Sequence, residues 1–202
     1  MSDTFAILTV CTGNICRSPL AEQLITQRLQ DCADITVSSA GTHAMVGAPM
    51  EGQSQAIART LGIVDPSTHA PRLLTEGILD SADLILAMAR DHRRAIVETN
   101  PRVARRVFTI REFARLAEAT ADDDLIFDIA ETSGTRIERL HAAVRAVTAG
   151  RALVAPLEDP SDDDVIDPYR RDQATYDLST AQIVPAVETT VAFLRRALEV
   201  SL

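Results

Sequence analysis

The stretch Val10-Cys11-Thr12-Gly13-Asn14-Ile15-Cys16-Arg17-Ser18-Pro19 decides how the chain is read. The apolar run before it, Phe5-Ala6-Ile7-Leu8-Thr9-Val10, has the continuous hydrophobicity of a strand buried on both faces. After it, Leu20, Leu24, Ile25 and Leu29 recur at helical spacing, and Pro19 falls near the first helical position, where a proline is tolerated. Cys11 is therefore expected at a strand end, with Arg17 and Ser18 where a helix begins. A turn of this kind aims backbone N–H groups and the positive end of a helix dipole at one small volume, which is an anion site. A cysteine at its floor is favoured as the thiolate. The chemistry suggested is attack by sulfur on a bound phosphate, through a cysteinyl-phosphate intermediate.

Each residue type suits that geometry. Gly13 permits a tight turn and a close approach to the ligand. Asn14 tolerates a left-handed backbone and can tie the loop down. The Arg17 fork matches two phosphate oxygens, which a lysine does not. Ser18 can cap the helix or donate its hydroxyl to the sulfur. The competing reading is a buried strand-end cysteine followed by an ordinary turn. Strand, Gly-Asn turn and Ser-Pro helix start, all in register, favour the anion site.

The block Cys11-Thr12-Gly13-Asn14-Ile15-Cys16-Arg17-Ser18-Pro19-Leu20-Ala21-Glu22 resembles the signature of the low-molecular-weight protein tyrosine phosphatases. Ser38-Ser39-Ala40-Gly41-Thr42 resembles the family's second-strand motif, and Asp167-Pro168-Tyr169 its general-acid loop. The resemblance spans about residues 4–112 and 165–200. It implies Cys11 as nucleophile, Arg17 as phosphate clamp and Asp167 as the acid that protonates the leaving group, then activates water. Thr12, Gly13, Asn14, Ile15, Cys16 and Ser18 would form the phosphate cradle, Tyr169 one wall of the slot, and Ser39 a support bonded to Asn14. Asp159, which also precedes a proline, and Asp164 are rivals for the acid. Cys16 matches a family cysteine that can form a reversible disulfide with the nucleophile; a small buried residue is the equal alternative. Where many members place a large aromatic residue after the second-strand motif, this chain has His43-Ala44-Met45-Val46-Gly47, with Met45 as an adaptable wall.

Strand candidates at Asp34–Ser39, Ala82–Met88 and Arg105–Thr109 alternate with helical stretches. The class expected is α/β: a four-stranded parallel sheet with helices on both faces and the phosphate loop after the first strand. Pro49 to Leu61 reads as a helix with Ala56, Ile57 and Leu61 inward, and Gln173 to Val200 as the last helix. From about 112 to 165 the chain departs from the compact family. There Asp122-Asp123-Asp124 reads as a break, and Ile137, Leu140, Val144 and Val147 as the apolar stripe of a helix docked on the domain's flank. Glu158 to Asp164 reads as a solvated acidic loop near the entrance, a rim that repels acidic phosphopeptides.

With 202 residues, 46% hydrophobic and 24% charged, the chain suits one phosphatase domain over 1–202. A net charge of −9 without a long basic run argues against nucleic acid. No apolar stretch reaches the roughly 20 residues that span a bilayer, and no leader pattern is expected. Three cysteines suit a reducing cytoplasm better than a disulfide scaffold. The four histidines, 43, 69, 92 and 141, share no metal-ligand spacing, and the mechanism requires none of them. The reading needs no cofactor and no metal; its substrate is a phosphorylated protein or a small aryl phosphate, and the oligomeric state is open. Arsenate reduction on the same scaffold needs further cysteines downstream, and none follows Cys32. Phosphoarginine phosphatases carry threonine where this chain has Ile15. A non-catalytic phosphate-binding regulator stands against an intact Cys11, Arg17 and Asp167.

Overall fold

The computed structural model describes residues 4–132 and 134–200. Four parallel strands, β1 (Phe5–Cys11), β2 (Ile35–Gly41), β3 (Leu84–Ala87) and β4 (Val107–Thr109), form one sheet in the order β2-β1-β3-β4. The chain steps to one side of β1 to make β2 and to the other to make β3. The crevice where the connections diverge lies beyond the carboxyl end of β1, at Cys11, and open α/β sheets bind ligands at such a point.

Strand parity sorts the core into two layers. Phe5, Ile7, Leu84, Leu86 and Phe108 face one side, packed against α1 (Arg17–Arg28), α5 (Ile110–Ala119), α7 (Arg136–Gly150) and α8 (Gln173–Glu199). Leu8, Val10, Ile85, Ala87 and Val107 face the other, against Leu79 of α3 (Glu76–Asp80) and Ile96 of α4 (Arg90–Thr99). The four apolar residues expected on one face of α1 are all buried.

Three readings are corrected. In α2 (Gly52–Thr60) the inner face is Ser54 and Ala58 with Ile57 alongside, while Ala56 is exposed. Asp122, Asp123 and Asp124 do not break the chain; they form the first turn of α6 (Asp122–Ala130), where carboxylates complement the helix dipole. The segment from Glu158 to Asp164 is not a free loop. Pro160–Asp163 is a 3₁₀ turn capped by Asp159, Asp163 pairs with Arg115 at 3.1 Å, and Asp164 grips Arg90 at 2.9 Å.

The stripe on α7 does dock on the flank: Leu140, Val144 and Val147 are buried in the larger core layer together with residues of α1, α5 and α8. Leu140→Ala is expected to lower the unfolding free energy by about 2–5 kcal/mol, read as a shift of the urea midpoint. An unchanged midpoint would mean that α7 is not part of the common core.

Candidate active site

The loop from Cys11 to Cys16 is held from outside by its carbonyl groups. The carbonyls of Cys11, Thr12 and Gly13 accept from the backbone N–H groups of Thr42, His43 and Met45, each at 3.0 Å. The Ile15 carbonyl accepts from the Glu51 N–H at 2.8 Å, and the Asn14 carbonyl from His69 Nε2 at 2.7 Å. With its acceptors turned outward, the loop presents its N–H groups inward. The Asn14 N–H reaches Cys11 Sγ at 3.3 Å. Those of Thr12, Gly13, Ile15 and Cys16 have no intramolecular acceptor among the described residues. This is the anion cradle expected ahead of α1.

Asn14 closes the loop. It is fully buried at φ 54, a left-handed conformation that asparagine tolerates better than most residues. Its Nδ2 donates to Ser18 Oγ at 2.9 Å and to Ser39 Oγ at 2.7 Å, the second being the pairing the family resemblance implied. Its Oδ1 accepts from the Arg72 N–H at 3.0 Å. Because Asn14 donates to both hydroxyl oxygens, their own protons point onward. Ser39 donates to Glu22, and Ser18 is left to donate to Cys11 Sγ, 3.0 Å away. The chain from Glu22 through Ser39, Asn14 and Ser18 thus ends with a hydroxyl proton aimed at the sulfur.

Gly41 is the point where β2 comes closest to the loop. A Cβ there would lie 2.5 Å from the Thr12 carbonyl oxygen and 3.0 Å from Asn14 Cβ, so only glycine fits the second-strand motif at this position.

Above the sulfur, Cys11, Thr12, Gly13, Ile15, Cys16, Arg17, His43, Met45, Asp167 and Tyr169 line a cavity of about 140 Å³. Arg17 is buried, and its guanidinium donates to the Val165 carbonyl at 3.1 Å and pairs with Asp167 at 3.0 Å. Its buried Nε has no partner among the described residues, a donor left over for an oxyanion. Asp167, half exposed, also accepts from the Tyr169 N–H. Neither rival carboxylate lines the cavity: Asp159 caps Ser161, and Asp164 is bound to Arg90. Tyr169 and Met45 border the opening, with the Arg170 guanidinium 5.1 Å from the Tyr169 ring centre.

Ile15 and Cys16 also pack into a small apolar cluster with Tyr176, so their side chains serve the core as well as the cavity. Burial pushes the Cys16 thiol up to about 12, which keeps it protonated, and pushes the Tyr176 hydroxyl upward as well. Cys11, Cys16 and Cys32 are all free.

Two of the histidines, for which the sequence reading assigned no role in the mechanism, lie against the loop. His69 holds the Asn14 carbonyl and lies 3.5 Å from Glu22, and His92 Nε2 lies 2.8 Å from Thr12 Oγ1. Burial, with the Arg17 charge adding to it, pulls His92 down to about 4, so it stands neutral beside the cradle. Neither contact has a local sequence signal, since the partners are 55 and 80 residues apart.

Residues 6–147 match the family described as low molecular weight phosphotyrosine protein phosphatase. Among known proteins, the low molecular weight protein-tyrosine-phosphatase Ptp of Acinetobacter johnsonii is 35% identical over 129 residues, covering 63% of this chain and 87% of that protein. A protein-arginine-phosphatase of Geobacillus stearothermophilus is 32% identical over 139 residues, covering 69% and 86%. The crystal structure of a low molecular weight protein tyrosine phosphatase from T. tengcongensis superimposes with a TM-score of 0.65 at 26% identity, covering 94% of this chain and 99% of that one.

Gly41→Ala is expected to push the Thr12 carbonyl out of place and misalign the cradle, lowering turnover of para-nitrophenyl phosphate by about 10². Activity near wild type would show that the contact between β2 and the loop does not set the site's geometry.

Proposed function

Because the chain belongs to the low molecular weight phosphotyrosine protein phosphatases, we propose that it hydrolyses phosphotyrosine, or related aryl phosphate monoesters, at Cys11. One observation carries this reading: Cys11 Sγ lies under an inward-facing cradle with Ser18 Oγ at 3.0 Å and the Asn14 N–H at 3.3 Å. The phosphate binds on the N–H groups of residues 12–16, with Arg17 across two of its oxygens. Sulfur attacks phosphorus, the bond from phosphorus to the aryl oxygen breaks, and Asp167 gives its proton to the leaving oxygen. Water then attacks the phosphocysteine while Asp167 takes a proton from it. Phosphate leaves, and the sulfur regains the Ser18 hydrogen bond.

The Arg17–Asp167 pair gives binding a second consequence. The arriving phosphate takes the guanidinium that now holds Asp167, and the carboxyl group is released toward the leaving group. Tyr169 and Met45 flank the opening and suit a flat ring, with a more forgiving side at the methionine. The protein-arginine-phosphatase among the relatives supports a second substrate, phosphoarginine; turnover of a phosphoarginine peptide beside a phosphotyrosine peptide discriminates the two. We read 1–202 as a single catalytic domain in which 112–165 elaborates the flank. We place the protein in the cytoplasm, supported by its three free cysteines. No helix among the described residues is long and apolar enough to cross a membrane.

Cys11→Ser is expected to abolish hydrolysis of para-nitrophenyl phosphate while orthovanadate still binds, since the cradle and Arg17 survive; substantial residual turnover would remove the covalent mechanism. Asp167→Asn should slow substrates with poor leaving groups by about 10²–10⁴ and good ones much less. If Asp159→Asn behaves this way and Asp167→Asn does not, the acid is misassigned.

A further inference from the structure

The chain contains no lysine, so all 20 of its basic residues are arginines. Among the described residues, half of them pair with a carboxylate. Four that do not, Arg102, Arg105, Arg106 and Arg145, line one groove of about 630 Å³ between α7 and the segment leading into β4. Val144 and Ala149 supply apolar surface in it.

The guanidiniums in this groove are poorly committed. The exposed side chains of Arg102 and Arg105 have no hydrogen-bond partner among the described residues. Arg145 makes one long contact, 3.5 Å to the Asp128 carbonyl. Arg106 donates to the Leu79 and Asp80 carbonyls at 3.3 Å and feels the Asp83 charge, and its buried Nε has no partner among the described residues. The carboxylate that lines the groove, Asp83, is already engaged by the Ala6 N–H at 2.8 Å and by His141 at 3.0 Å. Asp128 also acts on Arg145 but forms no ion pair among the described residues. Thr148 fixes the Arg105 backbone by donating to its carbonyl at 2.8 Å.

The groove is remote from the cradle. Asp83 binds the backbone near the start of β1, and the Phe5 ring lies 5.5 Å from that of His141. Cys11 ends the same strand, roughly 20 Å away at the usual rise per residue.

We propose that this groove docks an acidic segment of a protein partner, a run of Asp, Glu or phosphorylated side chains. Guanidinium forks match carboxylate and phosphate oxygens two at a time, and four of them from two elements can follow an extended chain. The rest of a molecule of net charge −9 repels such a segment, so the groove stands as a local exception and steers its partner there. A nucleotide is a poorer fit, because the lining offers no Phe, Tyr or Trp to stack on a base. The site is independent of the chemistry at Cys11.

The test is fluorescence anisotropy with a fluorescein-labelled peptide of about eight glutamates at low salt, where exposed charges are least screened. Saturable binding is expected, weakened about tenfold or more by Arg102→Ala with Arg105→Ala, by the paired glutamine changes, and by added salt. Arg59→Ala, which removes an exposed arginine bonded to Gln55, should change affinity less than about twofold. Saturating orthovanadate should not displace the peptide, and the double variant should turn over para-nitrophenyl phosphate as wild type does. Absent binding, an equal loss in Arg59→Ala, or displacement by orthovanadate would overturn the proposal. So would a single-stranded oligonucleotide of equal charge that binds the groove more tightly than the peptide.

Discussion

The outward direction of five successive carbonyls, from Cys11 to Ile15, is the constraint on which the rest of the site depends. Each carbonyl has an assigned donor: three backbone N–H groups just past β2, one at the start of α2, and His69. A peptide unit whose oxygen is fixed outward has its N–H fixed as well, so cradle geometry is imposed from behind by parts of the chain that need not touch the anion. Asn14 can sit at φ 54 only because its amide is fully used, with two donations and one acceptance. The cost of a left-handed residue is thereby offset where it is incurred.

Much of this was legible in the sequence, for identifiable reasons. β1 and α1 follow from local patterning, since the strand is apolar but for Thr9 and the helix shows its face within 12 residues. The pairing of Ser39 with Asn14 came through family resemblance, not spacing. What stayed hidden was long-range or ambiguous in pattern. His69 and His92 sit in unremarkable contexts, and only the fold brings them to the loop. Asp122 to Asp124 read as a break because three acidic residues are poor helix formers on average, yet in a first turn the dipole reverses that preference.

The segment before Asp167 follows a similar logic. Five acidic residues in seven suggested a repelling rim, but sequence alone does not reveal that Arg90 and Arg115 neutralise two of them. Arg111 adds a bond to the Asp164 carbonyl, and the Val165 N–H bonds the Met88 carbonyl at the end of β3. These contacts anchor the segment that carries Asp167 to the cavity. The acidic character there works first as an attachment, and only Glu158, Asp159 and Asp162 remain as exposed charge.

Burial of Arg17 joins these two halves of the site. A guanidinium 5% exposed must have compensating partners, because an unpaired buried charge is costly. In the structure it finds them in the Val165 carbonyl and the Asp167 carboxylate, both supplied by the anchored segment. The same charge is what an oxyanion in the cradle would seek, and the unpartnered Nε shows that its donors are not exhausted. Asp167 and an anion in the cradle would therefore compete for one cation. On the proposed mechanism, occupancy of the cradle would free Asp167 from Arg17 by an exchange of partners.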